Sequence, residues 1–139
     1  MFKMCGILFI DQKKNIVSKS SFIKVLKSQN WRGPDNTSYE VFNDNKIFLG
    51  HNRLTILDKK SRSNQPMKSE DGRYLIIFNG EIYNYKEIIK KYKLKLRTTS
   101  DTEVILKGFI LKGKDILKDL DGMFSFIIYD KKKSEWFCA

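Results

Sequence analysis

The apolar residues of this chain fall into short blocks of strand length, separated by polar turns and by stretches with helical spacing. An apolar run that ends abruptly at polar residues indicates a buried strand. Polar residues at 43–45 and 130–134 join two pairs of these strands into antiparallel hairpins. Because helical stretches are grouped between antiparallel strands, the sequence predicts an α+β fold. The predicted strands are 5–10, 39–42, 47–49, 74–78, 123–129 and 135–138.

The first helical stretch begins at Ser20 or Ser21, either of which can accept a hydrogen bond from the first turn. Its apolar face is predicted to consist of Phe22, Val25 and Leu26. This spacing of three and four residues is typical of an amphipathic helix on a core.

Two more helices are predicted, one at 84–92 and one that begins at Ser100. In the pattern Ser-Asp-Thr-Glu, Ser100 caps the helix and Glu103 is predicted to reach back to it as a capping box. We expect this helix to be buried, because apolar side chains cover most of its surface. They are Val104, Ile105, Leu106, Phe109, Ile110 and Leu111.

The apolar run 74–78 stops at Asn79 and Gly80, a dipeptide that is common in hairpin turns. We therefore predict that the strand ends there and opens into a tight turn. Chemically active side chains are often found at such places.

Size and composition indicate one globular domain. At 139 residues and 41% hydrophobic content the chain can bury a single core. No apolar run approaches the roughly 20 residues that span a bilayer, so we expect no membrane helix and a cytoplasmic protein. Two distant cysteines and one histidine offer neither a disulfide framework nor a metal site, and both thiols are expected to be reduced.

The formal net charge of +11 raises the alternative of a domain that binds nucleic acid or another polyanion. The lysines are dispersed over turns and polar helix faces, without interleaved aromatic residues that could stack on bases. The sequence therefore favours a solvated surface, with polyanion binding as the weaker alternative.

Cys5 stands between Met4 and Gly6. An isolated cysteine in a strand is usually a small buried hydrophobe. If Cys5 becomes the first residue, however, its amine has a pKa of about 7.7–8.0 and can act as the base for its own thiol. Residues 1–4 are then a leader or a mis-assigned start, and three alternatives stay open: translation from Met4, proteolytic trimming, or an inactive domain.

Seven short motifs, in order along nearly the whole chain, resemble the class II glutamine amidotransferase domain of glutamine-hydrolysing asparagine synthetases. This resemblance implies an N-terminal-nucleophile hydrolase fold, a four-layer αββα sandwich of antiparallel sheets between helices. The motifs are Met-Cys-Gly-Ile at 4–7, Arg-Gly-Pro-Asp at 32–35, Gly-His-Asn-Arg-Leu-Thr-Ile at 50–56, Gln-Pro at 65–66, Asn-Gly-Glu-Ile-Tyr-Asn at 79–84, Ser-Asp-Thr-Glu at 100–103 and Asp-Gly-Met-Phe-Ser-Phe at 121–126.

The resemblance also implies how L-glutamine is held. Arg53 would bind the α-carboxylate through two parallel hydrogen bonds. Asp101 would hold the α-ammonium, although an acidic residue in the first turn of a helix is also stabilised by the helix dipole. Backbone groups would flank the substrate at Leu54, Thr55, Ile56 and Leu57. Without the motif, a surface ion pair would be the simpler interpretation of Arg53.

For the reaction itself, the resemblance implies that Cys5 is the nucleophile and that Asn79 and Gly80 form the oxyanion hole. Glu81 would contribute to the glutamine pocket. His51 is expected to be structural and not the partner of Cys5. The loop 32–35 is expected to order the wall near Cys5, and Cys138 to be a strand residue.

The implied activity is hydrolysis of glutamine to glutamate and ammonia through a cysteinyl thioester, without a cofactor. Ammonia would reach a synthetase domain, in cis or in trans, where ATP and Mg support conversion of aspartate to asparagine. The resemblance implies that residues 5–139 are an incomplete amidotransferase domain, truncated at the C-terminus, and that the synthetase domain is absent from the chain. An inactive remnant that acts as an interaction module is the alternative, and a second copy of the chain is a further candidate partner.

Overall fold

Within the residues that the computed structural model describes, 4–139, the chain forms two antiparallel sheets and three α-helices. The predicted leader or mis-assigned start lies outside these residues except for Met4. The strands are β1 (Gly6–Asp11), β2 (Asn36–Phe42), β3 (Ile47–Arg53), β4 (Met67–Lys68), β5 (Tyr74–Ile82), β6 (Gly122–Asp130) and β7 (Glu135–Cys138). The helices are α1 (Lys19–Ser28), α2 (Tyr85–Tyr92) and α3 (Asp101–Lys112), with short 3₁₀ segments at Ser61–Ser63 and Gly113–Asp119.

Sheet A has the strand order β1-β3-β2, and sheet B has the order β4-β5-β6-β7. Both predicted hairpins are confirmed, since β2 pairs with β3 and β6 pairs with β7. The first predicted strand is shifted by one residue, because its pairing with β3 runs from Gly6 to Asp11. Within residues 4–139, no helix has both the length and the apolar surface needed to span a bilayer.

Four layers make up the fold. Helix α1 covers the outer face of sheet A, where Phe22 and Leu26 pack against Phe48. The two sheets face each other across an apolar cluster that includes Leu49 of sheet A and Ile77 of sheet B. Helices α2 and α3 cover the outer face of sheet B. This order of helix, sheet, sheet and helix confirms the predicted αββα sandwich.

Strand β3 is buried along its whole length because it lies in the middle of sheet A between two layers. Alternate side chains point to opposite faces of a strand. Ile47 and Leu49 therefore pack between the sheets, while Phe48 packs under α1. At Gly50 a β-carbon would lie 2.8 Å from a side-chain carbon of Leu26, so glycine lets α1 approach closely.

The start and the face of α1 differ from the prediction. Its N-cap is Ser18, whose hydroxyl accepts a hydrogen bond from the Ser21 N–H at 3.1 Å, so the helix begins before Ser20. Phe22 and Leu26 are fully buried as predicted, whereas Val25 is 48% exposed. The helix contacts sheet A along a narrow stripe of positions four residues apart, and Val25 lies beside that stripe.

Helix α3 begins at the predicted cap but lacks the predicted capping box. Ser100 accepts a hydrogen bond from the Thr102 N–H at 3.1 Å. The fully buried Glu103 carboxylate accepts hydrogen bonds from the N–H groups of Arg97 and Thr98 and from the Thr98 hydroxyl, and so it holds the preceding loop. The expectation of burial was wrong at the far end of α3, because no part of residues 4–139 covers the exposed residues there. They are Ile110 and Leu111.

Strand β5 does not end at Phe78. It continues through Asn79 and Gly80 to Ile82, because β6 pairs with it over its full length. Gly80 lies at φ +145°, and a β-carbon there would be 2.2 Å from the Met123 carbonyl oxygen. The glycine therefore serves a close strand-to-strand approach, and the predicted tight turn is wrong.

Candidate active site

A cleft of about 460 Å³, open solvent at its mouth included, lies where the start of β1, the end of β3, β5 and the start of α3 meet. Eight of the ten predicted site residues line it. Within residues 4–139, Thr55 and Asn79 are the two predicted residues outside this lining. The residues that form the cleft are Cys5, Arg53, Leu54, Ile56, Leu57, Ser63, Gln65, Phe78, Gly80, Glu81, Ser100, Asp101 and Thr102.

Cys5 directly precedes β1 and is half-buried. Its sulfur accepts a hydrogen bond from the Leu54 N–H at 3.3 Å, and its thiol can donate to the Leu54 carbonyl oxygen at 3.6 Å. Burial raises the pKa of the Cys5 thiol, and this effect outweighs the nearby Arg53 guanidinium, which acts to lower it. At neutral pH the sulfur is therefore protonated, and a base has to remove its proton before it can act as a nucleophile.

The loop 32–35 supports the wall beside Cys5. The Arg32 Nε–H donates to the Cys5 carbonyl oxygen at 3.1 Å, and the Asp35 N–H donates to the Arg53 carbonyl oxygen at 3.0 Å. Gly33 lies against β3 so closely that a β-carbon would be 2.3 Å from the Asn52 carbonyl oxygen. These contacts agree with the predicted supporting role of this loop.

Arg53, at the end of β3, is 6% exposed. One terminal guanidinium nitrogen donates to the Lys60 carbonyl oxygen at 3.0 Å and to Asn64 Oδ1 at 2.7 Å. The other donates to the carbonyl oxygens of Leu57, at 3.1 Å, and Asp58. All four acceptors are uncharged, and no residue within 4–139 forms an ion pair with Arg53. A surface ion pair is therefore excluded for this part of the chain.

This arrangement also changes how Arg53 can hold a carboxylate. A guanidinium has five N–H groups, and four of them are used by the segment 57–64. The predicted pair of parallel bonds to substrate is not open to the terminal nitrogens while that segment keeps these contacts. Within residues 4–139, only the Nε–H lacks a partner, so Arg53 offers one donor and an uncompensated positive charge.

Asp101 is the first residue of α3 and is 6% exposed. Its Oδ2 accepts a hydrogen bond from the Ile82 N–H at 3.1 Å, and its Oδ1 accepts one from the Thr102 N–H at 2.9 Å. Burial raises the pKa of Asp101, and Glu81 acts in the same direction. Within residues 4–139, Asp101 pairs with no cation. A buried carboxylate of this kind favours a positively charged ligand.

The edge of β5 supplies backbone donors to the cleft. Strand β4 pairs with β5 only at Leu75 and Ile76, so β5 is unpaired on this side from Phe78 onward. The Phe78 N–H donates to Gln65 Oε1 at 2.6 Å, and the Ile82 N–H donates to Asp101. N–H groups two residues apart point to the same side of a strand. The Gly80 N–H, between these two, therefore points to the same open edge, and Gly80 lines the cleft.

Asn79 points to the other face of β5, toward sheet A, by the same alternation. Its Oδ1 is buried and has no hydrogen-bond partner within residues 4–139. The predicted role of the Asn79 amide as an oxyanion donor stays a prediction, because this side chain does not line the cleft as the structure stands.

His51 does not form a dyad with Cys5. Its ring lies fully buried between the sheets, and its Nε2 is 3.0 Å from the Phe78 carbonyl oxygen, to which it can donate. Burial lowers the pKa of His51 to about 4, so the ring is uncharged at neutral pH. The single histidine of the chain therefore helps to join β3 to β5, in agreement with its predicted structural role.

We expect His51 to make stability depend on pH. Its pKa is lower in the folded chain than the ordinary value of 6.5, so the unfolded chain binds the proton more tightly. The stability that depends on a neutral ring is complete above pH 6.5 and is lost as the pH falls toward 4. The expected contribution of His51 is about 3 kcal/mol of the fall in the free energy of urea unfolding from pH 7 to pH 4.

The matched variant for this prediction is His51→Gln, which keeps an N–H donor without a titrating ring. Its unfolding free energy should fall less over the same pH range, and the difference between the two pH profiles isolates the histidine. Parallel profiles for the two proteins would contradict the prediction.

Sequence reasoning missed five of the residues that line the cleft. Gln65 belongs to the Gln-Pro motif, and Ser100 and Thr102 belong to the Ser-Asp-Thr-Glu motif. From these two motifs, however, only Asp101 was predicted to bind substrate. Ser63 and Phe78 had no local signal, because one lies in a polar loop and the other in an ordinary apolar strand.

Comparison with known proteins gives one family. A family model described as a glutamine amidotransferase domain matches residues 4–139. A protein of Acanthamoeba polyphaga mimivirus, named as a probable glutamine-hydrolyzing asparagine synthetase, has 39% identity to the chain in an alignment that covers 98% of it. Glutamine-hydrolyzing asparagine synthetase 2 of Bacillus subtilis has 37% identity over 96% of the chain, and synthetase 1 of the same organism has 36% identity over 92%. The matched segments cover 25%, 18% and 21% of these three proteins, so the chain spans a quarter of their length or less.

Proposed function

The chain belongs to the glutamine amidotransferase domain family, and from that premise we propose that it hydrolyses L-glutamine at Cys5 to give glutamate and ammonia. One observation carries the proposal. A single cleft brings together a cysteine sulfur, a buried guanidinium, a buried carboxylate and a strand edge that β4 leaves unpaired, and neither buried charge has a counter-ion within residues 4–139. These groups complement the parts of an amino acid with a side-chain amide: the guanidinium suits its α-carboxylate, the carboxylate its α-ammonium, and the sulfur and strand edge its amide.

The charged ends of glutamine fit the two buried charges. The α-carboxylate would meet the Arg53 Nε–H and its positive charge, with backbone groups of Leu54 and Ile56 beside it. The α-ammonium would meet the Asp101 carboxylate, with the exposed Glu81 at the rim of the cleft adding negative charge. Burial disfavours the ionised form of Asp101 in the empty cleft. The positive charge of the bound ammonium would balance the carboxylate charge and so stabilise the ionised form.

In the first chemical step, the free amine of Cys5 takes the thiol proton and the sulfur attacks the side-chain amide carbon. The carbonyl π electrons move to oxygen and give a tetrahedral oxyanion. When this intermediate collapses, the carbon–nitrogen bond breaks, the nitrogen takes the proton from the ammonium, and ammonia leaves. The product on the enzyme is a γ-glutamyl thioester, which water hydrolyses to glutamate and the free thiol.

The oxyanion would be stabilised by the Gly80 N–H, which points to the open edge of β5. Removal of one donor of this kind from other enzymes costs about 3 to 4 kcal/mol of transition-state stabilisation. The Asn79 amide would be the second donor after a rotation of its side chain toward the cleft. Such a rotation would also move its oxygen out of a buried position in which that oxygen has no partner among residues 4–139.

The mechanism requires that Cys5 carry a free amine. Within residues 4–139, the structure offers no other base in hydrogen-bond contact with the sulfur, and His51 is bonded to Phe78. Translation from Met4 with removal of the methionine, and proteolytic trimming, would both expose this amine.

The ammonia would be passed on to a synthetase part of a longer protein or to a separate partner. Relatives of the chain carry the name glutamine-hydrolyzing asparagine synthetase, which supports aspartate as the final acceptor. ATP and Mg would serve that second reaction and have no place in the cleft at Cys5.

The test is covalent labelling with a diazo-ketone analogue of glutamine, on a chain that begins at Cys5 and on the 139-residue chain. Mass spectrometry of peptides should find the label on Cys5 only in the first protein and should find none on the exposed Cys138. A correctly folded chain that begins at Cys5 and takes up no label would overturn the proposal. So would an active preparation whose residues 1–4 are still attached.

A further inference from the structure

Gln65 connects three elements around the cleft and has no part in the reaction described so far. It is 5% exposed. Its side-chain Oε1 accepts a hydrogen bond from the Phe78 N–H at 2.6 Å, and its Nε2 donates to the Thr102 hydroxyl oxygen at 3.2 Å. Its carbonyl oxygen accepts a hydrogen bond from the Ser38 hydroxyl. The residue therefore joins β2, β5 and α3.

The position of Gln65 follows from the register of β4. Met67 pairs with Ile76, and continuing this antiparallel register places Gln65 opposite Phe78. The main-chain hydrogen bonds between β4 and β5 nevertheless do not extend before Met67, because the preceding residue, Pro66, has no N–H to donate. The side-chain oxygen of Gln65 takes the place of the next main-chain acceptor.

This bond lies next to the proposed oxyanion donor. The Phe78 N–H is held by Gln65 and the Ile82 N–H by Asp101, while the Gly80 N–H between them stays open to the cleft. The two acceptors are themselves linked, because Gln65 also bonds Thr102, the residue after Asp101. The edge of β5 is thus held on both sides of Gly80, and of these three N–H groups only that of Gly80 is without a partner within residues 4–139.

We propose that Gln65 is a positioning residue that fixes the Gly80 N–H toward the oxyanion of the transition state. This inference rests on the proposed hydrolysis of glutamine. The polar groups of Gln65 are bound to Phe78, Thr102 and Ser38, so its effect is transmitted through Phe78 to Gly80. An oxyanion donor that loses its fixed direction weakens the transition state more than the bound substrate.

The test compares Gln65→Met, which keeps the side-chain length but removes both polar groups, with the unaltered protein in the form that begins at Cys5. The kcat for glutamine should fall about 10- to 100-fold while KM stays within about twofold. A fall in kcat of less than about threefold, or a rise in KM that accounts for the whole loss, would overturn the inference.

Gln12→Met is the matched control. Gln12 is also buried and holds three backbone groups, at Val17 and Asn45, far from the cleft. This variant should lose stability with unchanged kcat. If it loses as much kcat as Gln65→Met, the effect is one of general stability and the positioning role is wrong.

A second measurement separates this inference from the proposed function. Amide hydrogen exchange and backbone order parameters can be followed by NMR in the isotope-labelled 139-residue chain. Gln65→Met should speed exchange at the Phe78 amide and lower the order parameter at Gly80, and Gln65→Glu, which keeps an acceptor oxygen, should restore Phe78 protection. Unchanged values in Gln65→Met would overturn the positioning role. Absence of hydrolysis by the unaltered protein would refute the proposed function and with it the link to an oxyanion, whereas the effect of Gln65 on the order of the Gly80 N–H is decided by the NMR data alone.

Discussion

Substitution of Cys5 by alanine is expected to lower the kcat for glutamine hydrolysis by about 10⁴-fold or more, because the attacking sulfur is removed. Alanine is small enough for the half-buried position and leaves the terminal amine in place. Release of ammonia, followed with a coupled assay on chains that begin at residue 5, measures the effect.

Glutamine binding should survive the same substitution. The two buried charges that would hold the amino-acid end, Arg53 and Asp101, have partners that do not involve the Cys5 side chain. Titration calorimetry should therefore give a Kd for glutamine within a few-fold of the KM of the unaltered protein. Cys138→Ala is the control, because it removes an exposed thiol on β7 and should leave kcat unchanged. Appreciable hydrolysis by Cys5→Ala would show that another group is the nucleophile.

Substitution of Gly80 by alanine is expected to destabilise the fold by about 3 kcal/mol or more. Two costs combine at this residue. The φ of +145° is unfavourable for a side chain, and the new β-carbon would lie 2.2 Å from the Met123 carbonyl oxygen and 2.6 Å from the Phe124 α-carbon. Since both neighbours are backbone atoms of β6, relief requires the two strands to separate. Urea unfolding measures the loss.

Gly113→Ala separates these two costs. Gly113 also has a positive φ, of +58°, but a β-carbon there has no neighbour within 4 Å in the described part of the chain. This variant should lose only about 1 to 2 kcal/mol, the conformational part alone. Equal losses in the two variants would show that the contact between β5 and β6 relaxes at little cost. Where Gly80→Ala still folds, its kcat should also fall, because the N–H of residue 80 moves with the strand.

Much of the fold could be predicted because periodicity is a local property. The hairpins from β2 to β3 and from β6 to β7 depend on neighbouring residues, and the structure confirms both. The predictions were wrong where the conformation or burial of a residue depends on a segment far away in the chain. Asn79 and Gly80 have the composition of a turn, but nine residue pairs with β6 keep them in a strand. Val25 and Ile110 are apolar residues on helices, and they are exposed because no layer lies opposite them.

The same distinction holds for the candidate site, where local features could be predicted and contacts with distant segments could not. The proposed chemistry of Cys5 could be predicted from the sequence, because the sulfur and the nitrogen that would serve as its base belong to one residue. The sequence did not show which N–H groups of Arg53 are free to bind substrate. Four of them donate to the segment 57–64, and the local sequence does not specify the path of that segment. The predicted fork of two parallel bonds from Arg53 to substrate stays a prediction, and while these contacts hold only the Nε–H is open to it.

By itself, the sequence determined which residues carry reactive groups, most of the runs that form strands and helices, and the αββα class that the motifs imply. Only the tertiary structure decided where β4 stops pairing, and hence which N–H groups of β5 remain at an open edge. Gln65 and Asp101 close that edge on either side of Gly80 from segments far away in the chain. The physical reason is that side-chain periodicity is set by neighbours in sequence, whereas the partner of each backbone N–H is set by which segments meet in space.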